Sequence, residues 1–298
     1  MAEELLRWLT TATRASAISS CVFADIWLCL PKRMDALEYL ARIGSAERAG
    51  ATIETLAALQ EAHLRAVPFE NLDVHSGARI ILDLPRLYTK IVTMRRGGFC
   101  YELNGLFQWL LAELGFKARL LEARVYDKSR RGYGPAFDHM LILTEIDERQ
   151  WIVDVGFGDF SLKPLPFLLD RILEDPNGRF LVEQLDRAYF KVSRFSHLEN
   201  AYVPQYCFSE QARQLVDFAA MCTYHQTSPL SHFTQKKVCS IATPTGRVTL
   251  TDNTLILTNA DGRTELPIQS WLEFKQALSR YFHIQWPGPP LRIGEASH

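Results

Sequence analysis

The chain has 298 residues, of which 47% are hydrophobic, so it can bury the cores of two or three domains of ordinary size. Its 33 basic and 34 acidic residues give a net charge of −1, which provides no electrostatic basis for binding nucleic acid or a membrane surface. Six scattered cysteines form no C-x-x-C pair, which favours reduced thiols in a cytoplasmic protein over a zinc site or a disulfide framework. We therefore expect a soluble protein with no metal, no nucleic-acid partner and no membrane partner.

Residues 1–33 differ in pattern from the rest of the chain. An apolar run at 21–30 is interrupted by Asp25 and is too short to span a bilayer. Acidic residues near the amino end occupy positions where a signal peptide carries positive charge. We interpret 1–33 as an N-terminal extension outside the functional unit, which begins at Met34.

The hydrophobic period divides the remaining chain into three parts. From 34 to 116 the pattern is mostly helical, with one clear helix at 53–66, after which 68–72 reads as a loop. From 117 to 218 the period changes to two, in short runs such as 188–192 separated by turn signals, which predicts an antiparallel sheet or barrel. From 219 to 298, strand-like runs precede a helical stretch, as in a mixed α/β unit. The sequence thus predicts an α+β multidomain protein.

One cysteine lies at the start of the most regular helical pattern, in which apolar residues fall on one face over 103–114 and Gly115 ends the helix. The first turn begins near Cys100, where unpaired backbone N–H groups and the helix dipole favour a thiolate. Gly97 and Gly98 lack a Cβ and leave room for a substrate to approach the sulfur. Because a lone cysteine in an apolar stretch is usually part of the core, its role as a nucleophile requires a base elsewhere.

A histidine and an aspartate on neighbouring strand-like runs supply that base. We expect the intervening turn to centre on 147–148. His139 then lies opposite Gly156, and Asp154 becomes its diagonal neighbour on the same face of the sheet. A carboxylate that orients a histidine fixes the imidazole tautomer and stabilises the imidazolium. The alternative for the histidine is an ordinary solvated residue, whereas an unpaired buried aspartate would be costly. We predict that these two residues and Cys100 are catalytic.

Five segments between Met34 and the C-terminal region carry a wider resemblance: Pro68–Asn71, Arg96–Asn104, Asp138–His139, Asp154–Gly158 and Thr227–Phe233. In this order they resemble the arylamine N-acetyltransferase family. The resemblance implies a helical domain (34–116) that carries the nucleophile, an antiparallel β-barrel domain (117–218) that carries the histidine and aspartate, and an α/β lid domain (219–298), around a Cys-His-Asp core like that of cysteine proteases.

The resemblance also implies an acyltransferase of xenobiotic metabolism that works in two steps. The Cys100 thiolate takes an acetyl group from acetyl-coenzyme A (acetyl-CoA), and an arylamine or arylhydrazine then attacks the acetyl-cysteine thioester. A covalent intermediate of this kind predicts ping-pong kinetics. Coenzyme A would be a substrate, and no metal would take part.

Further contacts follow from the same resemblance. Acceptor-pocket residues would be Phe69, Tyr101, Val125 and Phe157, and coenzyme contacts would be Gly156, Gly158, Thr227 and Ser231. Core packing is an equal alternative for the two phenylalanines. The backbone N–H groups of Cys100 and Tyr101 are candidates for holding the tetrahedral oxyanion. The sequence departs from the family at Cys222, where asparagine is expected, and at Val125, which is aromatic in some members.

Three other functions fit the same residues. A papain-like protease or transglutaminase shares the three side chains, because their geometry alone does not identify the acyl donor. An amide synthase of the same fold would close an amide bond in a biosynthetic pathway. An inactive binding module would keep the fold with a cysteine of ordinary reactivity.

Overall fold

The structure, a computed structural model, describes residues 33–45 and 50–292. The predicted extension at 1–33 therefore lies outside the described residues, apart from Arg33. Within the described ranges, no helix is both long and apolar enough to cross a membrane.

The first part of the fold is helical, as predicted. Its helices are α1 (Ala36–Ile43), α2 (Ile53–Ala66), α3 (Leu72–Ser76), α4 (Leu84–Tyr88), which runs into a π-helical turn at Thr89–Thr93, and α5 (Cys100–Glu113). Polar side chains begin several of them: Asp35, Thr52 and Asp83 each accept a hydrogen bond from a backbone N–H of the first turn. Helix α5 ends just before Gly115, as predicted.

The prediction of a loop at 68–72 is wrong in part. Phe69–Glu70 forms a short strand, β1, that pairs with a strand near the C-terminus and also bridges to Gly98. The local sequence could not indicate this strand, because two residues have no hydrophobic period and both partners are distant in the chain.

The middle of the chain forms one antiparallel sheet. Its strands are β2 (Lys117–Asp127), β3 (Gly132–Tyr133), β4 (His139–Ile146), β5 (Arg149–Val153), β6 (Leu165–Pro166), β7 (Ile172–Asp175), β8 (Gly178–Gln184), β9 (Phe190–Ser196) and β10 (Ala201–Arg213). The hydrogen-bonded order β6-β5-β4-β2-β10-β9-β8-β7 makes a nearly closed barrel, with β3 attached to β2. Strand β9 begins later than the predicted 188–192, because Asp186 accepts hydrogen bonds from the N–H groups of Ala188 and Tyr189 in a turn.

Strand β4 separates two hydrophobic cores. Met140 and Ile142 face α5 in one core, and Leu141 and Leu143 point into the barrel in the other. Burial on both faces explains why this strand reads as a continuous apolar run. His139 has the parity of the barrel-facing residues, and its ring lies against barrel aromatics.

The C-terminal part contains both helices and strands. After a 3₁₀ turn (Leu215–Phe218) come α6 (Ala219–Thr227), α7 (His232–Gln235), β11 (Val238–Thr243), β12 (Gly246–Thr251), β13 (Thr254–Asn259), β14 (Gly262–Pro267) and α8 (Trp271–Phe282). The strands form an antiparallel sheet in the order β1-β11-β12-β13-β14. One face of this sheet buries apolar residues against α8. The predicted order of helical bundle, barrel and α/β unit is confirmed.

Candidate active site

Cys100 is the first residue of α5, as predicted, and only 3% of it is exposed. Three positions into the helix, Glu102 turns back and accepts a hydrogen bond from the backbone N–H of Phe99 at 3.1 Å. This bond is half of a capping box, and it holds the backbone at the start of the helix. The sulfur is therefore fixed at the N-terminal end of α5.

Buried ion pairs hold the segment that leads into this helix. Arg96 contacts Glu70 at 2.7 Å and Asp73 at 2.8 Å. Lys90 contacts Asp73 and Glu102, both at 2.8 Å. Burial raises the pKa of Glu102 to about 7, and the Lys90 charge acts in the opposite direction. Because removing one partner of a buried pair leaves a charge uncompensated, this network strongly restrains the segment.

A second restraint is the close approach of two backbone segments at Gly97. A Cβ at this position would collide with the carbonyl oxygen of Pro68. The missing side chain lets residues 97–98 run directly beside β1, where Glu70 N–H donates to Gly98 O at 2.8 Å. The segment that carries the cysteine is thus held both by buried ion pairs and by its backbone contacts with β1.

The predicted pairing of His139 with Asp154 is confirmed. Strands β4 and β5 pair in the expected register around a two-residue turn, 147–148, whose residues both have positive φ, as in a type I′ hairpin. His139 Nε2 lies 2.7 Å from Asp154 Oδ2, and the two residues are 2% and 1% exposed. The aspartate therefore has the partner that its burial requires.

Asn104 is a residue of the site whose role the sequence did not reveal. Its amide donates to Asp154 Oδ1 at 2.9 Å and to Met140 O at 2.6 Å, and its oxygen accepts from Val155 N–H at 2.9 Å. It stands one helical turn after Cys100, so it connects the helix to the aspartate. The four-residue spacing between Cys100 and Asn104 was the sequence signal that could have identified this residue.

Gly156 allows the end of β5 to reach the start of α5. A Cβ here would lie 2.7 Å from Cys100 Cα and 2.7 Å from Asn104 Nδ2, which is closer than real Cβ contacts. Its N–H also donates to Asp154 Oδ1 at 2.9 Å. Glycine at this position therefore determines how closely the strand approaches the cysteine.

Cys100 and His139 open onto one cavity of about 310 Å³. The residues that line it are Phe69, Cys100, Val125, Asp138, His139, Gly156, Phe157, His225, His232 and Phe233. Three of the predicted acceptor residues are thus present, and the Phe157 ring also packs on the His139 ring with centroids 5.1 Å apart. In the described part of the chain, no group of three or more His, Cys, Asp or Glu could hold a metal ion.

Four predicted contact residues lie outside this lining: Tyr101, Gly158, Thr227 and Ser231. Tyr101 is fully buried, and its hydroxyl donates to the carbonyl of Phe137 at 2.7 Å. The Thr227 hydroxyl donates to a carbonyl of its own helix at 2.9 Å, and Ser231 Oγ accepts from the N–H of Phe233 at 3.2 Å. Gly158, at φ +90°, lies in the loop after β5. Tyr101 therefore packs behind the cavity lining, where its ring stacks on that of His225.

The start of helix α5 does not by itself ionise Cys100. Burial raises the pKa of the Cys100 thiol well above its ordinary value, and the negative charges of Asp154 and Asp138 raise it further. A hydrogen bond from the backbone of Met140 acts in the opposite direction but is smaller. The sequence did not show how completely the sulfur is enclosed. Ionisation of Cys100 therefore requires a neighbour that takes its proton and remains as a counter-ion.

Comparison with known proteins agrees with this geometry. Residues 52–288 match the family model described as N-acetyltransferase. Human arylamine N-acetyltransferase 1 is 36% identical over 230 residues, which cover 72% of this chain and 79% of that protein. An N-arylamine acetyltransferase structure from Mycobacterium smegmatis superposes with a TM-score of 0.79 at 28% identity, covering 84% of this chain and 93% of that one. The Mycobacterium marinum arylamine N-acetyltransferase in complex with CoA gives 0.77 at 27% identity, with the same coverage of 84% and 93%. The chain therefore belongs to the arylamine N-acetyltransferase family of acyltransferases.

Proposed function

We propose that this protein transfers an acetyl group from acetyl-CoA to arylamines or arylhydrazines through an acetyl-cysteine formed on Cys100. The observation that carries the proposal is the 2.7 Å contact between His139 and Asp154 beside a cavity that the cysteine also lines. Family membership supports it, as does the Mycobacterium marinum relative that was solved with CoA.

In the first half-reaction, His139 acts as the base. Its Nε2 faces Asp154, so the carboxylate holds the ring proton there and leaves Nδ1 as the nitrogen available to the thiol. The thiol proton moves to Nδ1, the sulfur attacks the acetyl carbonyl, and the imidazolium returns the proton to the departing coenzyme A sulfur. Asp154 stabilises the imidazolium, and Asn104 and Gly156 hold that carboxylate in place.

Oxyanion stabilisation is assigned to the first backbone N–H groups of α5. Those of Cys100 and Tyr101 precede the first intrahelical bonds and have no partner among the described backbone bonds. Preorganised donors of this kind lower the barrier of acyl transfer, and each one contributes about 10²–10³-fold in rate.

In the second half-reaction, the acceptor nitrogen attacks the acetyl-cysteine and gives a proton to His139, and the sulfur leaves as the thiolate. The cavity fits a flat aromatic acceptor, because Phe69, Val125, Phe157 and Phe233 provide apolar walls. Its volume of about 310 Å³ lies at the small end of ligand pockets.

The coenzyme contacts predicted at Gly156, Gly158, Thr227 and Ser231 are kept as part of this proposal, as is the division of the chain at 34–116, 117–218 and 219–298. The segments Asp154–Gly158 and Thr227–Phe233 both contribute residues, among them Phe157 and Phe233, to the cavity lining. This arrangement supports a coenzyme that enters between the barrel and the C-terminal part.

We also propose a reducing, cytoplasmic location. Among the described residues, Cys100, Cys207, Cys222 and Cys239 are all buried and free of disulfide bonds. Reduced thiols are typical of proteins that work in the cytosol.

Intact-mass spectrometry after incubation with acetyl-CoA tests the intermediate. We expect one acetyl group on the wild-type protein and none on Cys100→Ala. The matched control is Cys207→Ala, in a barrel strand outside the cavity, which should still be acetylated. A wild-type protein that stays unmodified would contradict the proposal.

Steady-state kinetics test the second step. Parallel double-reciprocal lines for acetyl-CoA and an aromatic amine are expected for a ping-pong reaction. A panel of aryl and alkyl amines and hydrazines separates this function from an amide synthase, which would leave all free amines unmodified.

A further inference from the structure

The catalytic cavity contains one carboxylate that the proposed mechanism does not use. Asp138 lines the cavity beside His139, and its side chain is 16% exposed. No lysine or arginine lines the cavity among the described residues, so the carboxylate has no fixed cation there. A carboxylate that is mostly buried is costly unless it has a partner.

The protein satisfies this carboxylate only in part. Asp138 Oδ2 accepts a long hydrogen bond, 3.3 Å, from the N–H of Val125. Oδ1 lies 3.2 Å from His225 Nε2, but the ring N–H is not aligned with it, and Nε2 has no hydrogen-bond partner within the described residues. A carboxylate offers about four acceptor positions, so several remain open.

His225 is placed so as to hold Asp138 and is itself 6% exposed. Ser231 Oγ lies 3.0 Å from His225 Nδ1 and already accepts from the N–H of Phe233. Its hydroxyl proton is therefore free to donate to Nδ1, which puts the ring proton on Nε2, facing the carboxylate. The Tyr101 ring stacks on the imidazole with centroids 6.1 Å apart. One hydrogen bond and one stacked ring thus position His225, whose Nε2 contacts Asp138 Oδ1 at 3.2 Å.

We propose that Asp138, positioned by His225, determines acceptor specificity by selecting aromatic amines whose ring carries a hydrogen-bond donor, such as a hydroxyl or second amino group, over those that carry a carboxylate. This inference rests on the proposed acetyl transfer and narrows its acceptor class. A hydrogen-bond donor on the substrate ring donates to an acceptor position of Asp138 that the protein leaves open. A ring carboxylate instead places a second negative charge near Asp138 in a small cavity whose lining contains no lysine or arginine among the described residues.

The test compares three amines that differ only in the para position: 4-aminophenol, aniline and 4-aminobenzoate. Under ping-pong kinetics, kcat/KM for the acceptor reports only the second half-reaction. Dividing each value by that of aniline, and then comparing Asp138→Asn with the wild type, cancels the intrinsic nucleophilicity of each amine. We expect the ratio of 4-aminobenzoate to aniline to rise roughly tenfold or more in Asp138→Asn, because a charged repulsion is removed.

A second variant tests the positioning role. His225→Leu should lower the ratio of kcat/KM for 4-aminophenol to that for aniline several-fold, and His225→Gln, which keeps a donor, should restore most of that ratio. Asp170→Asn is the matched control: Asp170 is exposed, lies outside the cavity lining and tolerates asparagine at its positive φ of 57°, so all ratios should stay as in the wild type.

Three results would overturn this assignment. Ratios that do not change in Asp138→Asn would show that the carboxylate does not meet the ring substituent. An equal fall for all three amines would assign Asp138 to the reacting nitrogen or to the triad. A wild-type protein that acetylates none of the three amines would overturn the proposed function itself, and the acceptor site with it.

Discussion

Two buried histidines of this protein have opposite chemistry. His63, on α2, is fully buried, and its Nδ1 shares a 3.0 Å hydrogen bond with the hydroxyl of Tyr39. His139 is 2% exposed, and its Nε2 lies 2.7 Å from a carboxylate. Each ring packs against a phenylalanine with centroids 5.1 Å apart. By burial and aromatic contact alone, the two are nearly indistinguishable.

The difference lies in what surrounds each imidazole. Burial, together with the positive charge of Arg42, lowers the pKa of His63 to about 3. Its partner is a neutral phenol, and its Nε2 is buried without a hydrogen bond among the described residues. His139 has an anion to stabilise its protonated form and a cavity shared with a thiol. A buried histidine can therefore act as a base where a carboxylate and an open cavity meet it, and stays neutral where they do not.

Removal of the nucleophile should have the largest effect. Cys100→Ala is expected to abolish acetyl transfer, with a change in the free energy of unfolding within about 1 kcal/mol, because only one buried sulfur is lost. Acetyl-CoA turnover and chemical denaturation measure the two quantities. Substantial residual turnover would show that another group carries the acetyl.

Asp154→Asn should leave His139, like His63, as a buried imidazole without an anionic partner. We expect a loss on the order of 10³-fold in kcat, because the amide holds the wrong tautomer and no longer stabilises the imidazolium. Some loss of stability should accompany it, since this residue accepts three hydrogen bonds in a buried position. If the variant were fully active, the assignment of the triad would be wrong.

The reactivity of Cys100 should depend on His139. Because burial raises the pKa of the isolated thiol, His139→Ala should react with iodoacetamide only in alkaline solution. The wild-type cysteine should react near neutral pH, where the imidazole can take the proton, and should lose reactivity as the pH falls. Matching pH profiles in the two proteins would contradict the pairing.

His63→Asn should leave catalysis almost unchanged and act only on the pH dependence of stability. The pKa of His63 is lower in the folded protein than in the unfolded chain, so the unfolded chain binds more protons between about pH 6.5 and about pH 3. The contribution of His63 to stability is therefore complete above about pH 6.5 and is lost as the pH falls through that window, by an amount on the order of 5 kcal/mol.

Urea denaturation at several pH values measures this slope, which should be smaller in His63→Asn than in the wild type. Acetyl transfer at neutral pH provides the contrast with His139. If His63→Asn lost as much activity as a variant of His139, the distinction between the two histidines would fail.

The sequence predicted those parts of the site that depend on local patterns. The turn at 147–148 and the register that it sets between β4 and β5 were sufficient to place His139 beside Asp154. The helix start at Cys100 followed from the periodicity of α5. The comparisons also favour the acetyltransferase family over the papain-like or transglutaminase alternative.

What the sequence could not show depends on contacts between distant segments. Asp138 immediately precedes β4 and His225 lies in α6, and no local period indicates that they meet. Tyr101 was predicted to contact substrate, but the rotation of α5 turns its side chain into the core beneath the residues that precede His139. The raised pKa of Cys100 likewise follows from enclosure by several elements, which a helix-end argument does not include.

The two-residue strand β1 makes the C-terminal part necessary for the nucleophile, although that part contributes no member of the triad. Phe69 and Glu70 pair with β11 on one side and meet Gly98 on the other, and Glu70 also holds Arg96. A chain truncated before β11 would keep all three catalytic side chains and every barrel strand, yet β1, which meets the cysteine segment at Gly98, would lose its partner strand. Damage at the carboxyl end of this protein should therefore impair catalysis before it unfolds the barrel.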